Sequence, residues 1–286
     1  HISVGAWDAA ETCLRRAAAS FARMGQPRFR EECVSLLGIA DGYRGRYRQA
    51  VDGFAEVAAS ARGRHDRVSL HWGLVGQAEA RLRLALDTGT ALELLEEGRT
   101  LFADVPAAER LRVHAGLALV HLRAGRDAEA GTAVRAGLRE AAVAGMVRMW
   151  LGEAFTLLAE VALALRERGH DPAVAAGACD RLRSFTSGCP VTAARALRTG
   201  GLQLWLAGRR PRAVRAWRHS LDSARRLDLP YDEAMAHLEL GRHLRAPETT
   251  PGGWGRDEHL ARARELFTAL GTGPALARAS RPPLAG

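Results

Sequence analysis

Across residues 200–228, GGLQLWLAGRRPRAVRAWRHSLDSARRLD, apolar and small positions fall into two helical stripes separated by one break. Leu197, Gly201 and Leu204 share a face at spacings of four and three, Gly208 interrupts it, and Ala213, Trp217, Ser220 and Leu221 resume the same rhythm. Pro211 falls in a first helical turn, where a missing N–H costs nothing. The stretch predicts a helix, a tight turn and a second helix. Its signature is a small residue, a turn glycine seven positions on, an alanine five further and a bulky aromatic four further.

The same steps recur along the chain. Gly38, Gly45, Ala50 and Phe54 repeat them, as do Ala118, Gly125, Ala130 and Val134. A unit around Gly76, with Trp72 before it, resumes at Ala91, Leu95 and Gly98 across a longer linker. Ala162 and Gly169 keep the seven-residue step, followed by Asp171-Pro172 as N-cap and first helical position. Asp127 is expected to cap the second helix of its unit. The small residue thus falls at 38, 76, 118, 162, 201 and 241, a repeat of about 40 residues. Pro106, Pro172, Pro190, Pro211 and Pro230 all stand at predicted helix starts, and no useful alternating strand pattern occurs. The opening HISVGAWDAAETCLRRAAASFARMG reads as the second half of a repeat, with Gly5 as turn and Ala10, Leu14, Ala17 and Phe21 on one face. An excised piece of a longer protein is the expectation.

These units resemble the tetratricopeptide repeat, in which small residues let two helices approach and an aromatic fills the hole between them. With the closing LARARELFTALGT, they also look like the helical sensor regions of large bacterial signalling ATPases, including MalT-like and other LuxR-type regulators and cyclase-associated ATPases. The resemblance implies an all-α solenoid of antiparallel helix pairs, a right-handed superhelix of about six repeats plus an N-terminal half repeat over residues 1–271. Residues 272–286 are expected to fray beyond a short turn of helix. It implies binding of a protein, peptide or small effector rather than catalysis. No P-loop, LuxR-type DNA-binding helix pair or cyclase motif is present.

Composition changes the weight of the charge. The net charge is +9, but the chain has no lysine and no asparagine, so arginine stands in for lysine throughout and a GC-rich bacterial genome accounts for the bias. Nine arginines face only Asp222 and Asp228 within residues 195–228. Cys13, Cys33, Cys179 and Cys189 sit at no metal or redox spacing and read as free thiols of a cytoplasmic protein. No apolar run approaches the roughly 20 residues that span a bilayer.

Groove positions carried over from the repeat family place Glu32, Tyr43, Arg112, Arg123, Arg195, Arg198, Trp205, Arg242 and Arg245 on the concave wall. Such arginines could grip an acidic peptide through bidentate hydrogen bonds, or hold a small effector; equally, they form a solvated face, with Trp205 in the core beside Leu202. Arg209, Arg210, Arg212, Arg215 and Arg218 make a basic patch on the outer surface, suited to an acidic partner domain or a phosphate. It lacks the interleaved exposed aromatics of a nucleic-acid site. His114 and His121, or His237 and His243, lack zinc spacing, and no cofactor is implied. Glu31-Glu32 and Glu96-Glu97 read as surface ion pairs. The Gly-Gly-Trp insertion near Trp254 reads as a solvent turn, a lid or an anchor.

Overall fold

A computed structural model describes residues 1–84, 88–144, 149–245, 248–250 and 252–280. Fourteen α-helices and no strand occur among the described residues: α1 (Trp7–Arg23), α2 (Pro27–Tyr43), α3 (Tyr47–Gly63), α4 (Arg67–Leu84), α5 (Gly89–Arg99), α6 (Ala107–Arg123), α7 (Asp127–Val143), α8 (Gly152–Glu167), α9 (Pro172–Gly188), α10 (Ala193–Leu206), α11 (Arg210–Arg226), α12 (Pro230–His243), α13 (Arg256–Leu270) and α14 (Gly273–Ala279). Neighbouring helices pack in pairs, and each even-numbered helix from α2 to α10 also touches the next even-numbered one. The fold is an all-α solenoid. No described helix is long and apolar enough to cross a membrane.

The small-residue ladder is a set of close approaches. A Cβ on Gly76 would lie 2.3 Å from the Phe54 ring, and one on Gly201 2.5 Å from Trp217 Nε1. Each glycine therefore marks the hole into which the aromatic of α3 or α11 fits, and Trp217 is completely buried there. Gly45, Gly125, Gly169 and Gly208, the turn positions of the repeat, all have positive φ. Gly45 is doubly constrained, since its φ is +72° and the Leu270 side chain lies against it.

Helix starts follow local chemistry with small displacements. Pro172 and Pro230 are first residues of their helices, and the Asp171 carboxylate accepts from Ala173 N at 2.8 Å. Asp127 does not cap α7: it is the first helical residue, and its carboxylate pairs with Arg168 instead. Arg168 supplies a charged partner that an N-cap hydrogen bond does not. Helices α4, α6, α8 and α12 are buried over most of their circumference, whereas α1 and α11 are amphipathic.

The solenoid turns back on itself. Trp7 Nε1 donates to Leu227 O at 2.7 Å, Tyr47 meets Tyr231 edge-on at 5.8 Å, and α14 packs on α4. A core of Tyr47, Ala50, Phe54, Tyr231, Met235, Leu260 and Phe267 is shared between the two ends of the chain. The segment after residue 271 joins this closure as α14, with Ala275 and Ala279 buried; residues 281–286 lie outside the described residues.

Candidate functional site

Closure brings the even-numbered helices around a common axis, and their charged residues meet there. The Arg195 guanidinium lies between Asp232 of α12 (Nε to the two oxygens, 3.1 and 3.2 Å) and Glu153 of α8 (2.8 Å). Glu153 also accepts from Arg83 Nε at 2.7 Å, and Arg83 reaches Glu160 at 3.1 Å and the Tyr231 hydroxyl at 3.0 Å. Glu160 accepts in turn from Arg198. The result is one chain of alternating charge, Asp232–Arg195–Glu153–Arg83–Glu160–Arg198, contributed by α4, α8, α10 and α12. Burial pushes the Glu160 carboxyl up, but Arg83 and Arg198 outweigh it and hold the pKa at about 2. Burial would likewise lower Arg195, yet Asp232 and Glu153 raise it well above the ordinary arginine value.

A second buried group surrounds Arg112, which is 2% exposed. It donates to both oxygens of Glu79 at 3.1 and 2.6 Å and to Glu109 at 3.1 Å, while Trp150 Nε1 donates to the other Glu109 oxygen at 2.9 Å. Arg112, Arg195 and Arg198 therefore do not present free guanidiniums on a concave wall. Carboxylates of neighbouring helices take them, and a buried cation left without such partners would cost several kcal/mol, about 3–5. Tyr43 is buried beneath Arg195, whose guanidinium lies 4.6 Å from its ring centre. Glu32 and Arg245 are exposed; Glu31, expected in a surface pair, is instead 1% exposed and paired with Arg64. Glu96 and Glu97 do make surface pairs, with Arg99 and Arg62.

Four of the expected groove residues do come together. Arg123, Arg198, Trp205 and Arg242 line a cavity of about 580 Å³ along the axis, walled on one side by Leu163, Leu202 and Met235 and closed by Arg278 of α14. Arg123 Nη2 donates to Leu82 O at 2.7 Å and Arg242 Nη1 to Arg278 O at 3.3 Å. Burial, with Arg83 close by, lowers the Arg123 pKa to about 10. Arg278 donates to Glu239 at 3.1 Å. Trp205 is half-buried, 4.6 Å from the His243 ring, and His243 in turn stacks on Trp217 at 4.7 Å. Three polar atoms buried behind this wall, Arg198 Nε, Glu239 Oε2 and His243 Nε2, have no hydrogen-bond partner among the described residues.

The basic patch stays outside. Arg209, Arg210, Arg212 and Arg215 are exposed and Arg218 half-buried, and none of the five makes an ion pair among the described residues; Arg210 lies 5.0 Å over the Trp205 ring. Trp254 of the insertion packs on His237 and His259 at 5.2 and 5.5 Å, so that tryptophan anchors its loop; Ala246, Pro247 and Pro251 of the insertion lie outside the described residues. Among the described residues no cluster of three or more His, Cys, Asp or Glu is placed to hold a metal ion.

What sequence reasoning missed is the acidic half of the site: Glu79, Glu109, Glu153, Glu160, Asp232 and Glu239. A signal was present. Glu109, Glu153 and Asp232 each stand nine residues before the small residue of their unit, and Arg112 and Arg195 six before theirs. No protein-family model matches this chain, and no curated protein matches it.

Proposed function

We propose that this chain is a non-catalytic recognition module of the tetratricopeptide type, the regulatory part of a larger signalling ATPase or transcription regulator, and that it senses a small-molecule effector held in the axial cavity. The observation that carries this reading is the fate of the arginines. A peptide groove needs cations exposed along an open wall, and Arg112, Arg195 and Arg198 are buried at 2–3% exposure against carboxylates of their own chain. What remains is a half-open space of about 580 Å³, the size of a small-molecule site, whose wall sets apolar side chains such as Leu163, Leu202 and Met235 beside charged ones such as Arg123, Glu167 and Arg242. A second, compatible reading is contact with an acidic protein domain at the start of α11, favoured by Arg209, Arg210, Arg212, Arg215 and Arg218, which make no ion pair among the described residues.

A metabolite library screened by thermal unfolding tests the first reading. A bound effector at about 100 times its Kd stabilises by about 2.7 kcal/mol and raises Tm by several degrees. The hit should be lost in Ala164→Trp, which fills the cavity at a half-buried wall position. Stabilisation by acidic peptides or proteins alone, with no small-molecule hit, refutes it.

A further inference from the structure

One end of the axial cavity is covered by an element unlike the rest of its wall. Helices α4, α6, α8, α10 and α12 supply most of the lining and run to 14–18 residues each. The cover, α14, has seven residues and follows Gly271, whose φ of +67° turns the chain out of α13. A helix so short does not hold itself in water, so docking alone keeps it folded. That docking is slight: its buried side chains are Ala275 and Ala279, Leu276 is half-buried, and Arg242 Nη1 reaches the Arg278 carbonyl at 3.3 Å. Elements held by so little apolar contact open locally, ahead of the fold around them.

The charged anchor of α14 is Arg278. Its Nη2 donates to Glu239 Oε1 of α12 at 3.1 Å, and the Arg278 side chain is 38% exposed over a Glu239 side chain that is wholly buried. Burial would raise the Glu239 carboxyl, but Arg278, with His243, Arg198 and Arg242 behind it, holds it below the ordinary carboxylate value. Burial would lower Arg278, yet Glu239, Glu167 and Glu160 raise it. Glu167, which lines the same cavity, makes no ion pair among the described residues. Once Glu153 on Arg83 and Asp127 on Arg168 are counted, the lining arginines other than Arg278 are equalled in number by carboxylates; Arg195, which shares Glu153, has Asp232. Arg278 is thus the surplus cation of the cavity. It sits among these carboxylates as the cationic end of a ligand would, but on a short tether.

We infer that α14 is a tethered plug of the axial cavity: Arg278 holds in cis a cation subsite at Glu239, and an effector bearing a guanidinium or amine binds by taking the place of Arg278 and releasing α14. Displacement selects the ligand. A carboxylate buried as Glu239 is costs too much to leave without a cation, so a neutral or anionic compound offers nothing in exchange for Arg278. A cationic one restores the pair. The inference rests on the effector reading of the same cavity, and its test is arranged so that the two can fail separately.

Calorimetric titration of the whole chain with n-butylguanidinium and its uncharged counterpart n-butylurea, joined to amide hydrogen exchange, decides it. A plug that is docked most of the time lowers apparent affinity by the fraction undocked, so Arg278→Ala should bind butylguanidinium about tenfold or more tightly than the unsubstituted chain does. In Arg278→Ala the cation should also outbind the urea about tenfold, and adding Ala164→Trp should abolish its binding. In the unsubstituted chain saturated with butylguanidinium, the amides of Leu276 and Ser280, which close the turns of α14, should exchange faster than in the free chain while those of α12 stay protected. Should Arg278→Ala fail to fold by circular dichroism, Arg278→Gln takes its place, and the exchange arm needs no variant. Urea binding as well as guanidinium, binding that survives Ala164→Trp, or α14 amides as protected with the cation bound as without it each overturn the inference. A library effector lost in Ala164→Trp that leaves α14 protected overturns the plug and keeps the effector reading. No binding of butylguanidinium to Arg278→Ala overturns the inference whatever the wider library gives.

Discussion

Replacing Arg195 tests whether the axial charges are structure or recognition. In Arg195→Leu, Asp232 loses the cation that both its oxygens accept from, and at 1% exposure it has no water in exchange. An uncompensated buried charge costs about 3–5 kcal/mol. Asp232 is the third residue of α12, where the helix N-terminus returns about 0.3–1 kcal/mol, so a net loss of about 3 kcal/mol is expected. Asp232→Asn should cost less, about 1.5–3 kcal/mol, because Arg195 keeps Glu153 at 2.8 Å. In Arg195→Leu/Asp232→Leu the two vacated positions are both apolar and Glu153 retains Arg83 at 2.7 Å, so the double variant should be more stable than Arg195→Leu alone. Guanidinium unfolding followed by far-UV circular dichroism gives the four free energies. A loss below about 1 kcal/mol for Arg195→Leu, or a double variant no more stable than Arg195→Leu alone, refutes the buried-pair account. Arg195 does not line the axial cavity, so ligand affinity should be unchanged wherever the variant is folded.

Gly73→Ala should destabilise by about 1–3 kcal/mol, since its Cβ would fall 2.5 Å from the backbone nitrogen of Ala58, whereas Gly200→Ala, with nothing within 4 Å, should gain up to about 1 kcal/mol in the same unfolding assay. Acid sensitivity should begin with histidines: burial lowers His71, His243 and His259, the last to about 4 with His237 and Arg225 adding to the effect. The folded state then binds fewer protons than the unfolded chain, so stability falls as pH drops from 6.5 towards 4; His259→Gln should remove about 3 kcal/mol of that fall in melts across this range. One thiol, the exposed Cys13, should react rapidly with a thiol-specific chromogen in the native protein. Cys33, Cys179 and Cys189 are buried, and burial pushes Cys179 to about 12 and Cys189 to about 11, so they should react only after denaturation.

The helix pairs were legible because they are local. A small residue, a turn glycine and an aromatic within sixteen positions encode one close approach, as Gly201, Gly208 and Trp217 show, and that approach needs nothing from the rest of the chain. Gly73 escaped the same reading although its contact is with backbone: its partner, Ala58, is small, so no bulky residue advertises the hole. The closure of the solenoid was not legible at all. Trp7 with Leu227 and Tyr47 with Tyr231 are separated by some two hundred positions, and their pairing depends on the small rotation that each repeat adds to the last. Local patterning records which face of a helix is inward, not how many repeats complete a turn.

The same limit decided the site. That Arg112, Arg195 and Arg198 point inward could be read from register; whether inward means groove or core depends on how tightly the superhelix closes. Neither expected alternative, open groove or solvated face, placed these arginines in the core, and composition gave no help. In a chain without lysine, arginine carries no signal of selection at exposed positions, and the patch on α11 remains explicable as solubility alone. At buried positions the argument reverses. Arg112 uses Nε and Nη2 on the two oxygens of Glu79 while Nη1 reaches Glu109, and Arg83 spans Glu153, Glu160 and Tyr231 at once. A lysine ammonium, a single point of charge, could not hold partners on three sides in fixed planes. The arginines that geometry makes irreplaceable are thus those locked within the fold. Under the effector reading proposed above, recognition would fall instead to the cavity wall lined by Arg123, Trp205 and Arg242.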